Sequence, residues 1–112
     1  MITLDVLKEF GANTDEGMER CLNEEGFYLS LIPTALEKEG YLKIEDSIKA
    51  GKLDEAFEAA HALKGVLSNL ALSPILKPVS EITELLRART ETDYEPYLNT
   101  MWEQRDKLAA YI

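Results

Sequence analysis

Residues 59–70, AAHALKGVLSNL, contain the only histidine of the chain, His61, within a segment that has a helical pattern. A neutral imidazole is a nucleophile near pH 7 and can accept a phosphoryl group on a ring nitrogen. Lys64 lies one helical turn further on, where its ammonium group can offset the added negative charge. Gly65 costs about 1 kcal/mol relative to alanine in a helix, and its missing side chain leaves a hollow that a partner can enter. This spacing predicts phosphoryl chemistry at His61.

The helix predicted over residues 53–70 positions these side chains. An apolar seam repeats along it in alternating steps of four and three residues: Ala56, Ala60, Leu63, Leu67 and Leu70. With about 100° per residue, His61 lies roughly 140° from the centre of this seam. Lys64, Gly65 and Ser68 fall on the same side as His61, and Phe57 precedes it by one turn. We therefore expect the imidazole to face solvent, with Ser68 and Phe57 as secondary site residues.

The other segments also have helical patterns, and no β-rich run is bounded by hairpin turns. We expect short helices over residues 3–10 and 13–23, followed by a longer stretch over 25–50 that Pro33 and Gly40 interrupt. The next helix begins with Ser73 as its cap and Pro74 at its first position, and it ends near residue 88. TETD caps a last helix, whose apolar residues are Tyr94, Leu98, Met101, Leu108 and Ile112. The sequence thus predicts an all-α bundle that forms a single domain over residues 1–112.

Acidic residues outnumber basic ones by 21 to 12, which gives a formal net charge of -9. This balance argues against sequence-independent binding to nucleic acid or to an anionic membrane surface. Cys21 is the only cysteine, and we expect it to be a small core side chain. Because we find neither a signal peptide nor a run of about 18 apolar residues, we expect a cytoplasmic protein. One self-contained core favours a monomer.

The sequence AAHALKGVLSNLAL resembles the signature of the histidine-containing phosphotransfer (HPt) domain, in which A-H-x-L-K-G is followed by N-L-G. The run IKAGKLDEAFEAAHALKG resembles the glycine-containing turn and the aromatic residue that precede the family's histidine. The resemblance covers residues 15–112 and is strongest over residues 50–72. It implies an antiparallel four-helix bundle with one or two additional short N-terminal helices.

The resemblance also implies how the site works. His61 would be phosphorylated reversibly, on Nε2, while Lys64 and Gly65 match the family's own lysine and glycine. Asn69 belongs to the matching Asn-Leu pair, whose role is mainly structural. Ala71 departs from the pattern, because the family usually has glycine there.

The implied activity is that of a relay without kinase activity of its own. Its partner would be the receiver domain of a response regulator, of a hybrid sensor histidine kinase, or of both. The resemblance implies no bound cofactor in this chain, because the catalytic Mg²⁺ and the acidic pocket belong to the receiver.

Three other functions can be compared with the relay. Glu58 and His61 form a Glu-x-x-His motif, but di-iron bundles need two such motifs, and a single histidine allows only one. The sequence also has no Gly-rich phosphate loop and no Gly-x-Ser-x-Gly motif. The alternative that stays open is a helical module that binds a receiver or kinase without carrying phosphate itself.

Overall fold

Seven helices joined by short connections make up the chain, and the computed structural model describes all of residues 1–112. The helices are α1 (Leu4–Phe10), α2 (Thr14–Arg20), α3 (Glu25–Ala35), α4 (Lys38–Lys49), α5 (Leu53–Asn69), α6 (Ser73–Arg87) and α7 (Glu95–Ala109). No residue is in a β-strand. The predicted all-α fold class is confirmed.

Helices α4 to α7 pack against one another in chain order, α4 against α5, α5 against α6, and α6 against α7. The connections between them are short, so neighbouring helices run antiparallel. Helices α1 and α2, of seven residues each, are short N-terminal helices of the kind that the resemblance implies, and α3 then leads into the bundle. None of the helices combines the length and the apolar character that crossing a membrane requires.

One cluster of 22 buried residues forms the core, and it extends from Leu7 in α1 to Leu108 in α7. All five residues of the predicted α5 seam belong to it. Cys21 is 2% exposed and lies in the same cluster, as expected. Because burying a leucine contributes about 1.5–3 kcal/mol, the seam fixes the rotation of α5 about its own axis.

The interruption between α3 and α4 does not lie where the sequence predicted it. α3 continues through Pro33 to Ala35, and Gly40 lies within the first turn of α4. Pro33 lies in the last turn of α3, so its missing N–H removes only one helical hydrogen bond. The helix tolerates this loss because it ends two residues later. The chain breaks at Leu36 instead, whose carbonyl accepts hydrogen bonds of 2.8 and 2.6 Å from the Arg105 guanidinium of α7.

Two helix ends also differ from the prediction. Ser73 is the first residue of α6 rather than its cap, and Pro74 takes the second position. The Ser73 hydroxyl lies 3.5 Å from the Ala71 carbonyl, so it does not cap the helix. Ile112 is 64% exposed because it lies beyond the end of α7, whereas the other four apolar residues predicted for this helix are buried.

The C-terminal end of α5 is the point at which the N-terminal helices attach. The buried Tyr28 hydroxyl of α3 donates a 2.8 Å hydrogen bond to the Leu70 carbonyl, and burial raises the pKa of Tyr28 to about 12. The backbone N–H of Asn13 donates a 3.0 Å hydrogen bond to the Ala71 carbonyl. Ala71 itself has a φ of 55°, in the left-handed region that favours glycine.

Replacing Ala71 with glycine should therefore stabilise the fold. The left-handed conformation costs an alanine about 1 kcal/mol, and glycine adopts it freely. We expect Ala71→Gly to raise the free energy of unfolding by up to about 1 kcal/mol in urea titrations. Ala62→Gly, at an exposed position inside α5, is the matched control and should lower it by about 1 kcal/mol. Destabilisation by both variants would contradict this interpretation.

Candidate functional site

His61 lies on the exposed face of α5, opposite the buried seam. The helical-wheel prediction that the imidazole faces solvent is therefore confirmed. Ala60, the preceding residue, is fully buried, so the boundary between the buried and the exposed face of α5 runs between these two neighbours. A ring in this position can be approached from outside the bundle without any rearrangement of the core.

Phe57 lies next to His61 on the same face. The two rings are stacked, with their centroids 5.6 Å apart and their planes inclined by 18°. Two guanidinium groups approach the Phe57 ring: that of Arg87, the last residue of α6, at 5.0 Å from its centroid, and that of Arg89, just beyond the helix, at 5.7 Å. Such cation–π contacts contribute about 0.5–1 kcal/mol at exposed sites. Phe57 therefore lies between the imidazole of α5 and two cations, one at the end of α6 and one just beyond it.

Lys64 shares a carboxylate with one of these arginines. Its Nζ lies 4.0 Å from Oε2 of Glu84, and the same oxygen lies 3.2 Å from Nε of Arg87. A second pair joins Arg89 to Asp54, with 2.5 Å between Nη2 and Oδ1. All these groups are partly or largely exposed, so each pair contributes only about 0–1 kcal/mol to stability.

The space beside Gly65 is empty. A Cβ added there would meet no atom within 4 Å, so packing within the chain does not require a glycine at this position. Val66, the next residue, is 44% exposed. The approach of a partner beside Gly65, which the sequence suggested, stays a prediction.

Ser68 and Asn69 lie further along α5, towards its C-terminal end. The Arg20 guanidinium of α2 donates a hydrogen bond to the Ser68 carbonyl and lies 3.5 Å from the Ser68 hydroxyl. Arg20 is also paired with Glu16 at 2.5 Å. The structure therefore links Ser68 to α2 rather than to the imidazole, and it leaves Asn69 exposed as the last residue of α5.

The side chains that α2, α6 and the segment after α6 bring to this face were not predicted from the sequence. Three of the four arginines of the chain lie on it: Arg20, Arg87 and Arg89. One signal was available for Arg87, because two antiparallel helices bring together residues at similar distances from the turn that joins them. Phe57 and Arg87 lie at similar distances from the turn at residues 70–72.

The stacking of Phe57 on His61 can be tested by NMR. Replacing Phe57 with leucine removes an aromatic ring current beside the imidazole, so the proton resonances of the His61 ring should move. Phe27→Leu is the matched control, because Phe27 is an exposed phenylalanine of α3 that does not stack on His61. Unchanged His61 resonances in Phe57→Leu would show that the two rings are not stacked in solution.

The comparison with known protein families agrees with this geometry. The family model of the Hpt domain matches residues 32–111, which comprise the end of α3 and all of α4 to α7. No match was found among curated proteins or among solved structures. The matched part covers well over half of the chain and contains both His61 and the four helices that pack in sequence. The chain belongs to the Hpt domain family.

Proposed function

We propose that this chain is a phosphoryl carrier that relays a phosphoryl group between receiver domains through reversible phosphorylation of His61. The observation that carries the proposal is the position of the single imidazole of the chain, exposed in the middle of α5 within an Hpt bundle. Hpt domains act in phosphorelay signalling as carriers without kinase activity of their own. The partner is accordingly a receiver domain of a response regulator or of a hybrid sensor kinase.

The transfer needs only one nucleophile from this chain. The lone pair of His61 Nε2 forms a bond to phosphorus, and the bond between phosphorus and the receiver's aspartyl oxygen breaks. The electron pair of that bond stays on the receiver carboxylate, while the proton on Nδ1 of the imidazole stays in place. The reverse sequence returns the group to an aspartate, so the same nitrogen serves as acceptor and donor.

Lys64 and Gly65 assist this transfer in different ways. The ammonium group of Lys64, one turn from the ring, offsets the negative charge that the phosphoryl group brings. Gly65 leaves room for the receiver's active-site backbone to reach the imidazole. Phe57 and Val66 add apolar contact area on either side of that approach. Ser68 and Asn69 lie at the edge of the same surface.

The role of His61 is tested by transfer from receiver domains that have been labelled with radioactive acetyl phosphate. We expect label on the wild-type chain and none on His61→Gln, because glutamine has no nucleophilic nitrogen. The label should be stable in alkali and labile in acid, as expected for phosphohistidine. The helical circular dichroism of His61→Gln should equal that of the wild type, because the replaced ring is exposed.

Each failure of this experiment has a distinct meaning. Equal labelling of the wild type and His61→Gln would place the phosphoryl group on another residue. A receiver that binds the wild type without transferring label to it would favour the alternative function, a binding module that carries no phosphate.

Gly65 provides a test in which stability and function change in opposite directions. Because no atom lies within 4 Å of an added Cβ, Gly65→Ala should raise the free energy of unfolding by up to about 1 kcal/mol through helix propensity. The same methyl group narrows the approach to His61, so phosphoryl transfer should slow, and Gly65→Leu should slow it further.

Gly26→Ala is the control for this pair of effects. Its Cβ also meets no atom within 4 Å, and it lies in α3 rather than beside His61. It should gain stability without any loss of transfer rate. Transfer that is independent of side-chain size at position 65 would remove Gly65 from the docking surface.

A further inference from the structure

Four contacts connect five side chains on the face that carries the exposed imidazole. The His61 ring stacks on Phe57, and Phe57 contacts the Arg87 guanidinium. Arg87 pairs with Glu84, and Glu84 pairs with Lys64. Lys64 follows His61 by three residues on α5, so both side chains lie on the same face of the helix. Glu84 is the only carboxylate among these five side chains.

The same oxygen of Glu84 holds both cations. Oε2 lies 3.2 Å from Nε of Arg87 and 4.0 Å from Nζ of Lys64. The side chain of Glu84 is 58% exposed, and those of Arg87 and Lys64 are 53% and 35% exposed. Pairs with this exposure are weak and are screened by solvent. Both cations can therefore leave Glu84 at little cost.

A phosphoryl group on His61 would be a stronger partner for these cations. It carries close to two negative charges and three acceptor oxygens, and it forms charge-assisted hydrogen bonds with lysine and arginine. Lys64 is one turn away, and Arg87 already contacts the ring that stacks on His61. The guanidinium of arginine can bind two phosphoryl oxygens at once.

We propose that Glu84 is a positioning residue that holds Lys64 and Arg87 beside the unmodified imidazole and competes with the phosphoryl group for them. The inference rests on the proposed function, since it concerns the balance of the same transfer. Glu84 weakens phosphohistidine relative to the receiver's aspartyl phosphate, both by occupying the two cations and by repelling the phosphoryl charge. It thereby keeps the carrier ready to pass its phosphoryl group on.

The test is the equilibrium partition of label between this chain and one receiver domain labelled with radioactive acetyl phosphate. Glu84→Gln keeps the size of the side chain and removes its charge. We expect it to shift the partition towards phosphohistidine by about two- to fivefold, the range of an exposed ion pair. Glu84→Asp keeps the charge and should lie close to the wild type.

Glu103→Gln is the matched control for the change in net charge. Glu103 is exposed on α7, a helix that packs on α6 rather than on the His61 face. Glu103→Gln should leave the partition of label unchanged. If Glu84 had only a structural role, Glu84→Gln would change the unfolding midpoint and not the partition.

The outcomes separate this inference from the function on which it rests. Label that reaches the wild type but partitions equally in Glu84→Gln would overturn the role of Glu84 and leave the proposed function standing. A shift towards the receiver in Glu84→Gln would also overturn it, because the carboxylate would then support phosphohistidine. Wild-type chain that accepts no label from any receiver would overturn both.

Discussion

The division of α5 into a buried and an exposed face is the constraint on which the rest of the structure depends. Five apolar residues on one side of this helix lie in the core, and together they fix its rotation. Turning the helix far enough to bury His61 would bring leucines of the seam to the surface, at about 1.5–3 kcal/mol for each one exposed. The exposure of the imidazole is therefore a consequence of the packing of the bundle.

The contacts on the exposed face of α5 are individually weak, in contrast to the burial of the seam. Its contacts are ion pairs and cation–π contacts between side chains that are open to solvent, and each contributes at most about 1 kcal/mol. A rigid core thus carries a surface whose charges rearrange easily. Cations gather at this face although the whole chain has a net charge of -9. Under the proposed function, this surface gains and loses a phosphoryl group without disturbing the fold beneath it.

Local periodicity was enough to predict the central part of this arrangement from the sequence. The seam of α5, the outward direction of His61 and the proximity of Lys64 and Gly65 all follow from 3.6 residues per turn, because they lie within one helix. The residues that reach the site from other helices could not be predicted in this way. The contacts of Glu84, Arg87 and Arg20 depend on how α6 and α2 pack on α5, and periodicity within one segment carries no information on that packing.

The helix boundaries also depend on contacts between segments that are distant in sequence, and these contacts could not be predicted. Pro33 and Gly40 were expected to interrupt the chain, but the break lies at Leu36, where a side chain distant in sequence, Arg105, binds the free carbonyl. The departure from the family pattern at Ala71 was visible in the sequence. Its physical meaning, a left-handed backbone at a residue with a Cβ, needed the structure.

The most direct test of the account is an NMR spectrum of the His61 imidazole before and after phosphoryl transfer from a receiver domain. Because the chain has one histidine, its ring gives a single set of side-chain signals. The account predicts that these signals shift on transfer and that Nε2 acquires a coupling to phosphorus, while the backbone spectrum of the core stays the same. Phosphorus bound to the chain with unchanged imidazole signals would contradict it.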